Sequence, residues 1–592
     1  MGIVGKVGRV IGVAAGMAVF GVFATAHAEV PAAVNLGKAW KVYKENWTPG
    51  DEAGYSEFVQ GIGRSNCSSL ESCLKSEANP YRSDVDPSLP GDCADMAYVL
   101  RAYYAWKNGL PFSYQNAMRT ADRTRQDLRY STEGNIVTGR RQILNIVNDA
   151  PSFLRRIGGE VSTAMFRTHP ITGGGNRHDD FYPVEISRSA LTPGAIAYDI
   201  YGHVGIVYDI LDNGRVLLVA SHPDNTVTRT AYGPNFMRSK PALGAGLKAW
   251  RPINVEGAKR NADGSLLGGR LKVTANDELE NFSLEQYFGN VPHPSKIWHY
   301  GEFSHQDRTL KYYDYVRRKL ASSDFRYNPV DELRFSMQTI CGAIKARKTA
   351  VDNAILARVH LRPHPKRLPR NIYGTYGDWE EYSTPSRDAR LKVSFIELRR
   401  EMQRLVEDVK ANADGVQYDG DDLAGDLLAA YHEEKNACTF TYWRSDKTRM
   451  RLNFAHAMER LFDLSFDPYH CPERRWGARG TELQTCSDGE VKERWYNAQR
   501  FLRYQAERTY DVRMDFTLEE LKPPMLAKPE DGGLGVEAPA DADIRGYLAR
   551  LAGPAIANAE DQGEILAVTY DREDKPVFFP AWHGQRGTDV ER

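Results

Sequence analysis

Residues 90–106 read PGDCADMAYVLRAYYAW and predict a buried helix that begins at a cysteine. Asp92 can cap this helix, and Asp95 three residues later gives a pattern similar to a capping box. Asn108-Gly109 is a typical stop signal. The apolar residues between follow the i, i+3, i+4, i+7, i+8 spacing of an amphipathic helix: Met96, Val99, Leu100, Tyr103 and Tyr104. Cys93 is therefore expected in the first helical turn.

The start of a helix favours the reactive form of a cysteine. Unpaired backbone N–H groups and the positive end of the helix dipole lower the pKa of a thiol there. Asp92 and Asp95 act in the opposite direction, because nearby negative charge raises a thiol pKa. A reactive Cys93 therefore needs an imidazolium partner that outweighs both carboxylates.

The chain has seven cysteines, which is an odd number. Six of them can form three disulfides, which we expect as Cys67–Cys73, Cys341–Cys438 and Cys471–Cys486. Cys93 is then left over. In an oxidising compartment a lone thiol is an accident, an intermolecular link or a reagent. We pursue the hypothesis that Cys93 is a nucleophile; the alternatives are an inert buried thiol, or a disulfide that leaves another cysteine unpaired.

A second motif downstream predicts a β-hairpin that carries histidine. Residues 192–199 (TPGAIAYD) form a turn that enters a strand, and residues 202–210 (GHVGIVYDI) form the next strand. Asp212-Asn213-Gly214 is a hairpin turn signal, and residues 216–222 (VLLVASH) form the return strand.

The register of this hairpin decides which side chains accompany His203. A two-residue turn places Gly205 opposite His222 and His203 opposite Asp224. Cross-strand neighbours share a face, so either His222 or Asp224 could orient the imidazole of His203. A three-residue turn would shift the register by one and bring Ser221 there instead.

Together these motifs resemble those of NlpC-type cell-wall peptidases and the related CHAP amidases. Those families place a cysteine at a helix start, a Pro-Gly turn before a strand and a histidine on a strand, and they belong to the papain-like superfamily, as do transglutaminase-like proteases. The resemblance covers about residues 80–230. Ala94-Asp95 stands where Ser-Gly is typical, and Ala195 where Asp is usual. The matching segments are Gly91-Asp92-Cys93-Ala94-Asp95, Pro193-Gly194-Ala195-Ile196 and Gly202-His203-Val204-Gly205-Ile206-Val207.

The resemblance implies a papain-like fold with a Cys–His–polar site. Cys93 would be the nucleophile, and His203 the general base and later the general acid. His222 would orient His203, with Asp224 as the alternative.

The implied reaction is hydrolysis of an amide through an acyl-enzyme. The Cys93 thiolate attacks the carbonyl, His203 protonates the leaving amine, and water releases the acyl group. The backbone N–H of Cys93 is one candidate oxyanion donor, and Tyr81 or Asn79 is expected to supply the second.

Residues 1–28 have the pattern of a secretory signal peptide. Lys6 and Arg9 precede an apolar run over residues 10–25, and Ala26-His27-Ala28 gives a small–x–small cleavage pattern. We expect cleavage after Ala28 and a periplasmic or secreted protein. Every later apolar stretch is interrupted by charged residues, so no further membrane span is expected.

Composition argues against nucleic acid or an anionic membrane as a partner. The chain has 77 Lys and Arg against 78 Asp and Glu, without the clustered basic excess that such partners require. No metal or other cofactor is expected either. His360 and His364 have i, i+4 spacing, but Pro363 and Pro365 argue against one continuous helix.

The predicted fold class is α+β. We expect a papain-like domain at residues 29–255, in which the cysteine helix packs on an antiparallel sheet, and a boundary segment at 256–300. A mostly helical domain follows at 301–522, supported by apolar stripes over residues 333–359 and 391–409. Residues 523–592 are expected to form a linker and a C-terminal tail.

These features predict an exported cysteine peptidase or amidase that cleaves amide bonds of the bacterial cell envelope, with peptidoglycan stem peptides as the substrate. Two alternatives stay open. One is a transglutaminase-like protease or acyltransferase that acts on a protein. The other is a non-catalytic envelope-binding or scaffold protein with the same fold.

Overall fold

A computed structural model describes residues 34–171, 178–373, 377–506, 514–521 and 539–553. The predicted signal peptide and most of the predicted linker and tail lie outside these residues. Residues 539–553 of that tail are described, and they contain a helix whose Ile544 and Leu548 are buried in the core of the helical half. Within them, no helix is both long and apolar enough to cross a membrane.

The described chain mixes helices with antiparallel strands. The helices are α1 (Pro49–Arg64), α2 (Leu70–Lys75), α3 (Cys93–Lys107), α4 (Ala150–Glu160), α5 (Glu285–Phe288), α6 (Tyr312–Lys319), α7 (Pro329–Leu356), α8 (Asp378–Tyr382), α9 (Pro385–Lys410), α10 (Leu423–Ala437), α11 (Phe454–Glu459), α12 (Pro472–Arg475), α13 (Gly480–Leu483), α14 (Glu490–Ala498), α15 (Arg500–Tyr504) and α16 (Ile544–Ala552). The strands are β1 (Ser113–Thr120), β2 (Asn135–Gln142), β3 (Phe181–Pro183), β4 (Ile196–Asp199), β5 (His203–Ile210), β6 (Val216–Ser221), β7 (Val227–Ala231), β8 (Gly246–Trp250), β9 (Ile253–Glu256), β10 (Lys259–Arg260), β11 (Leu266–Leu267), β12 (Arg270–Val273), β13 (Phe303–His305), β14 (Arg308–Leu310), β15 (Thr439–Trp443) and β16 (Arg449–Asn453).

The largest sheet has six antiparallel strands in the order β3-β8-β4-β5-β6-β7. Helices α1 and α3 pack on one face, where Val204, Ile206 and Val219 join their core. The opposite face buries Leu218 and Phe236 in a second core that includes side chains of α6. The sheet is therefore covered on both sides, with the cysteine helix on one of them.

Helix α3 begins at Cys93, as the sequence predicts. The side chain of Asp92 accepts hydrogen bonds from the N–H groups of Ala94 at 2.8 Å and Asp95 at 3.0 Å, and Asp95 accepts from the N–H of Asp92 at 2.9 Å. This reciprocal capping fixes where the helix starts. Every residue of α3 except Asp95 is buried, so the helix crosses the core and has no solvent-exposed polar face.

The hairpin of β5 and β6 has a different register from the predicted one. Its turn holds three residues instead of two, and a bulge at Tyr208 shifts the pairing by one residue more. The predicted pairs of His203 with Asp224 and of Gly205 with His222 are therefore wrong. Continuing the observed ladder from its last pair places His203 directly opposite His222.

The C-terminal half is built on α7, α9 and α10, which enclose a separate core. The apolar stripes predicted over 333–359 and 391–409 correspond to α7 and α9. Helix α7 also lies along β7, the outermost strand of the large sheet. The approach is close: a Cβ atom at Gly342 of α7 would lie 4.0 Å from the carbonyl oxygen of Arg229 in β7.

The region between the two halves belongs to the N-terminal half. The segment 256–300, expected as a boundary, contains β10, β11, β12 and α5, and β12 pairs with β9. The segment 303–320, expected within the helical domain, contributes Phe303, Tyr315 and Leu320 to the core beneath the sheet. The helical half therefore begins at α7 in this structure.

All three predicted disulfides are present in the structure, namely Cys67–Cys73, Cys341–Cys438 and Cys471–Cys486. Cys93 remains a free, buried thiol.

Candidate active site

Two hydrogen bonds fasten the start of α3 to the end of strand β6. The hydroxyl of Ser221 donates to the carbonyl oxygen of Gly91, and the N–H of Gly91 donates to the side-chain oxygen of Asn225 at 2.9 Å. A Cβ atom at Gly91 would come within 2.6 Å of Leu70 Cδ2, so glycine fits here without displacing a neighbour. The position of Cys93 relative to β6 is therefore fixed from both sides.

The sulfur of Cys93 lies against the backbone of the strand that carries His203. Its S–H donates to the carbonyl oxygen of Gly202 at 4.0 Å, and the backbone N–H of Val204 donates to the sulfur. These two backbone groups flank His203 and point to the same edge of an antiparallel strand. The observed β5–β6 pairs end at Ile206. The sulfur thus occupies the edge of β5 at His203, where the paired strands have separated.

The imidazole rings of His203 and His222 stack face to face. Their centroids are 5.1 Å apart and their planes differ by 12°. Phe236 lies beside His203 at a centroid distance of 6.0 Å, and His222 Nε2 is 2.8 Å from the hydroxyl of Thr228. His222 therefore fixes the orientation of the His203 ring by stacking, while its own ring is held by Thr228.

In the resting site the thiol of Cys93 is protonated and the imidazole of His222 is neutral. Burial raises the pKa of the Cys93 thiol, and the charge of Asp92 raises it further. Burial also lowers the pKa of His222 well below its usual range, and the nearby cations Arg387 and Arg390 lower it further. Burial, followed by the charge of Asp92, raises the pKa of Asp95 to about 8.

Asp224, the alternative orienting residue, is engaged elsewhere. Both of its carboxylate oxygens accept hydrogen bonds from Arg387 of α9 at 2.8 Å, and one also accepts from the hydroxyl of Thr226 at 2.6 Å. In the observed register His222 lies opposite His203, and Asp224 lies two residues beyond that position. Asp224 therefore serves to anchor the helical half on the hairpin.

Asn79 and Tyr81 lie far from the candidate nucleophile. The side-chain amide of Asn79 donates to the hydroxyl of Tyr103 at 2.9 Å, and that hydroxyl donates to the carbonyl oxygen of Tyr81 at 2.8 Å. Tyr103 is ten residues beyond Cys93 on α3, a distance of about 15 Å along the helix axis. The expected second oxyanion donor is therefore neither of these residues.

A loop segment that we call the strap, residues 127–130, covers the site. Tyr130 lies over Gly202, since a Cβ atom at Gly202 would be 3.4 Å from the Tyr130 ring. Arg129 bonds Glu380 of α8 at 2.9 Å, and the hydroxyl of Tyr130 donates to the carbonyl oxygen of Tyr373 at 3.5 Å. The strap therefore joins the sulfur-bearing edge of the sheet to the helical half.

Burial of the three candidate residues is nearly complete. Cys93 and His203 are each 5 % exposed, and His222 is 6 % exposed. The three residues are therefore closed off from solvent in this structure.

Several residues at the site escaped the sequence reasoning. Thr228 and Phe236, which hold the two histidines, lie in segments without a recognisable motif. Arg387 and Arg390 come from α9, far along the chain. An amphipathic pattern predicts the helix that carries them, but it does not predict what that helix packs against.

Comparisons with protein-family models, with curated proteins and with solved structures found no match to this chain.

Proposed function

We propose that this chain is an exported cysteine hydrolase with a papain-like N-terminal half, which cleaves amide bonds of the bacterial cell envelope, in peptidoglycan stem peptides. The observation that carries the proposal is the position of the Cys93 sulfur at the edge of β5 beside His203. Acyl transfer by sulfur requires a thiol within reach of an imidazole. The sulfur contacts the backbone on both sides of His203, and the proposal requires the His203 ring to meet it at this edge of the strand.

In the proposed reaction His203 takes the proton of the Cys93 thiol as the sulfur attacks the amide carbonyl. A C–S bond forms, and the C–N bond then breaks as His203 returns the proton to the leaving amine. Water, activated by the same imidazole, hydrolyses the thioester and restores the thiol. The stacked ring of His222 keeps His203 in place throughout.

The backbone N–H of Cys93 is a suitable oxyanion donor. The first N–H groups of a helix have no partner within it. Asp92 accepts from the N–H groups of Ala94 and Asp95, and within the described part of the chain no acceptor takes that of Cys93. Loss of one such donor typically lowers the rate by about 10²-fold or more.

Digestion of purified peptidoglycan, followed by mass analysis of the released fragments, tests the proposal. Wild type should release peptide fragments with new termini, and Cys93→Ser and His203→Asn should each lower that release by on the order of 10³-fold or more. His360→Asn, which changes a histidine of the helical half, is the matched control and should keep full activity. Equal fragment release by wild type and Cys93→Ser would overturn the proposal.

The burial of the site favours a second candidate, a non-catalytic envelope-binding or scaffold protein. A fully enclosed thiol with a raised pKa is typical of an inert structural cysteine. The two functions differ in thiol chemistry. Iodoacetamide should alkylate Cys93 of the native enzyme in the presence of peptidoglycan fragments. If iodoacetamide alkylates Cys93 only after denaturation, whether or not peptidoglycan fragments are present, the result supports the non-catalytic binding or scaffold function.

A further inference from the structure

A cavity of about 650 Å³ lies between the two halves of the chain. The β6–β7 hairpin and the segment after it form one wall, and α6, α7 and α9 form the others. Its volume is within the range of ligand pockets, and pockets are frequent where domains meet. The exposed residues Lys311 and Arg400 mark its mouth.

The guanidinium groups that line the cavity are balanced by carboxylates. Arg215 and Arg317 share Glu332, and the carboxylate of Glu401 lies within electrostatic reach of both. Two more guanidinium groups have single partners. The ion pairs are Arg404–Asp314 at 2.8 Å, Arg400–Glu397 at 2.6 Å, Arg317–Glu332 at 2.6 Å and Arg215–Glu332.

This balance selects for an uncharged ligand. An anion would need an excess of buried cations, but Lys311 at the mouth is exposed, so water and salt screen its charge. The paired groups still offer hydrogen-bond donors and acceptors on planar side chains. Ser336, which donates to Glu401 at 3.1 Å, adds a hydroxyl to them.

Aromatic rings supply the remaining surface. Tyr232, Tyr312 and Tyr313 line the cavity, and the hydroxyls of Tyr232 and Tyr312 are 3.1 Å apart. Sugar rings have apolar C–H faces that pack on aromatic rings and hydroxyl groups that pair with planar polar side chains. A cavity that combines tyrosine rings with paired arginines and carboxylates matches this chemistry.

The cavity also shares a wall with the candidate active site. The ring of Tyr232 is 5.6 Å from that of Phe236, which in turn is 6.0 Å from the ring of His203. The hydroxyl of Tyr313 donates to the carbonyl oxygen of Phe236. A ligand in the cavity would therefore be separated from His203 by one layer of aromatic side chains.

We propose that this cavity binds a neutral oligosaccharide of N-acetylated amino sugars. Binding in the cavity is independent of catalysis. The choice of N-acetylated amino sugars, and the further step that the glycan positions an attached peptide for Cys93, rest on the proposed function.

The test uses the mature full-length chain and chitotetraose as the probe, with binding measured by titration calorimetry. Wild type should bind saturably with a Kd below about 1 mM. Ser394→Trp and Thr339→Met, which fill the cavity from α9 and α7, should each weaken binding by about tenfold or more. Gln403→Trp, at an exposed position of α9 that does not line the cavity, is the matched control and should leave binding unchanged. Unchanged thermal unfolding of the variants would show that they fold.

Cys93→Ser should bind the probe as wild type does, so a failure of the hydrolase proposal would leave this result intact. Three results would overturn the inference. They are no saturable binding of chitotetraose by wild type, binding by both cavity-filling variants that is as tight as that of wild type, or tighter binding of inorganic phosphate than of chitotetraose.

Discussion

At the residue scale, the thiol pKa of Cys93 is set by opposing influences. Burial and the carboxylate of Asp92 raise it, and the N–H of Val204 and the more distant charge of Arg390 lower it. Burial is the largest of these influences, so the sulfur of the closed site is a protonated thiol. Solvent or substrate that enters the site would weaken this effect first.

Asp92→Asn should lower the thiol pKa of Cys93. The substitution removes the nearest negative charge, while asparagine still caps a helix as well as aspartate does. We expect faster alkylation by iodoacetamide and a reactivity profile shifted to lower pH. Asp95→Asn is the comparison, because Asp95 has a smaller influence on the thiol pKa and should shift the profile less. Equal shifts from the two variants would contradict this assignment.

Asp95 should make folding stability depend on pH. Its pKa is raised from 3.8 to about 8 by burial and by Asp92. Between these values the folded chain binds a proton that the unfolded chain has lost, so stability falls as pH rises through this window. The Asp95→Asn variant has no carboxyl group at this position and so cannot bind this proton. The free energy of urea unfolding of wild type, relative to this variant, should therefore decrease from pH 4 to pH 8; a flat difference would refute the shift.

At the element scale, we expect the strap to limit access to the sulfur through its partly exposed ion pair with Glu380. Glu380→Gln keeps the size of the side chain but removes its ion pair with Arg129. Pairs this exposed contribute about 0–1 kcal/mol, so alkylation of native Cys93 should accelerate by up to roughly fivefold. Glu433→Gln, which breaks an exposed pair with Arg334 on α10, should not change the rate. Identical rates in all three proteins would mean that another element opens the site.

The elements of the site region follow from local sequence, but their register does not. The capping residues predict the start of α3, and the two strands of the hairpin follow from their apolar alternation. The bulge at Tyr208 has no local signature, and together with the longer turn it changes which residue faces His203. Asp224 was expected near the imidazole, but it pairs with Arg387, a tertiary contact that no local pattern encodes.

At the scale of the whole molecule, the disulfides stabilise the chain unequally. In the chain-entropy model a crosslink contributes more when it closes a longer loop. Cys341 and Cys438 are separated by 97 residues, and Cys67 and Cys73 by six. Replacing the first pair by alanine should lower the free energy of unfolding by about 4–5 kcal/mol, against about 2 kcal/mol for the second. Urea unfolding of the two double variants measures the difference; the reverse order would contradict it.

The helix that lies along β7 also determines how this protein could be divided. A chain that ends before α7 would expose β7, the edge strand of the six-stranded sheet. The unpaired backbone N–H and C=O groups of that strand can pair with another copy of the fragment. Such a fragment should self-associate, and light scattering would detect it. We therefore expect the N-terminal half to aggregate without the helical half, whether or not the helical half takes part in the proposed reaction.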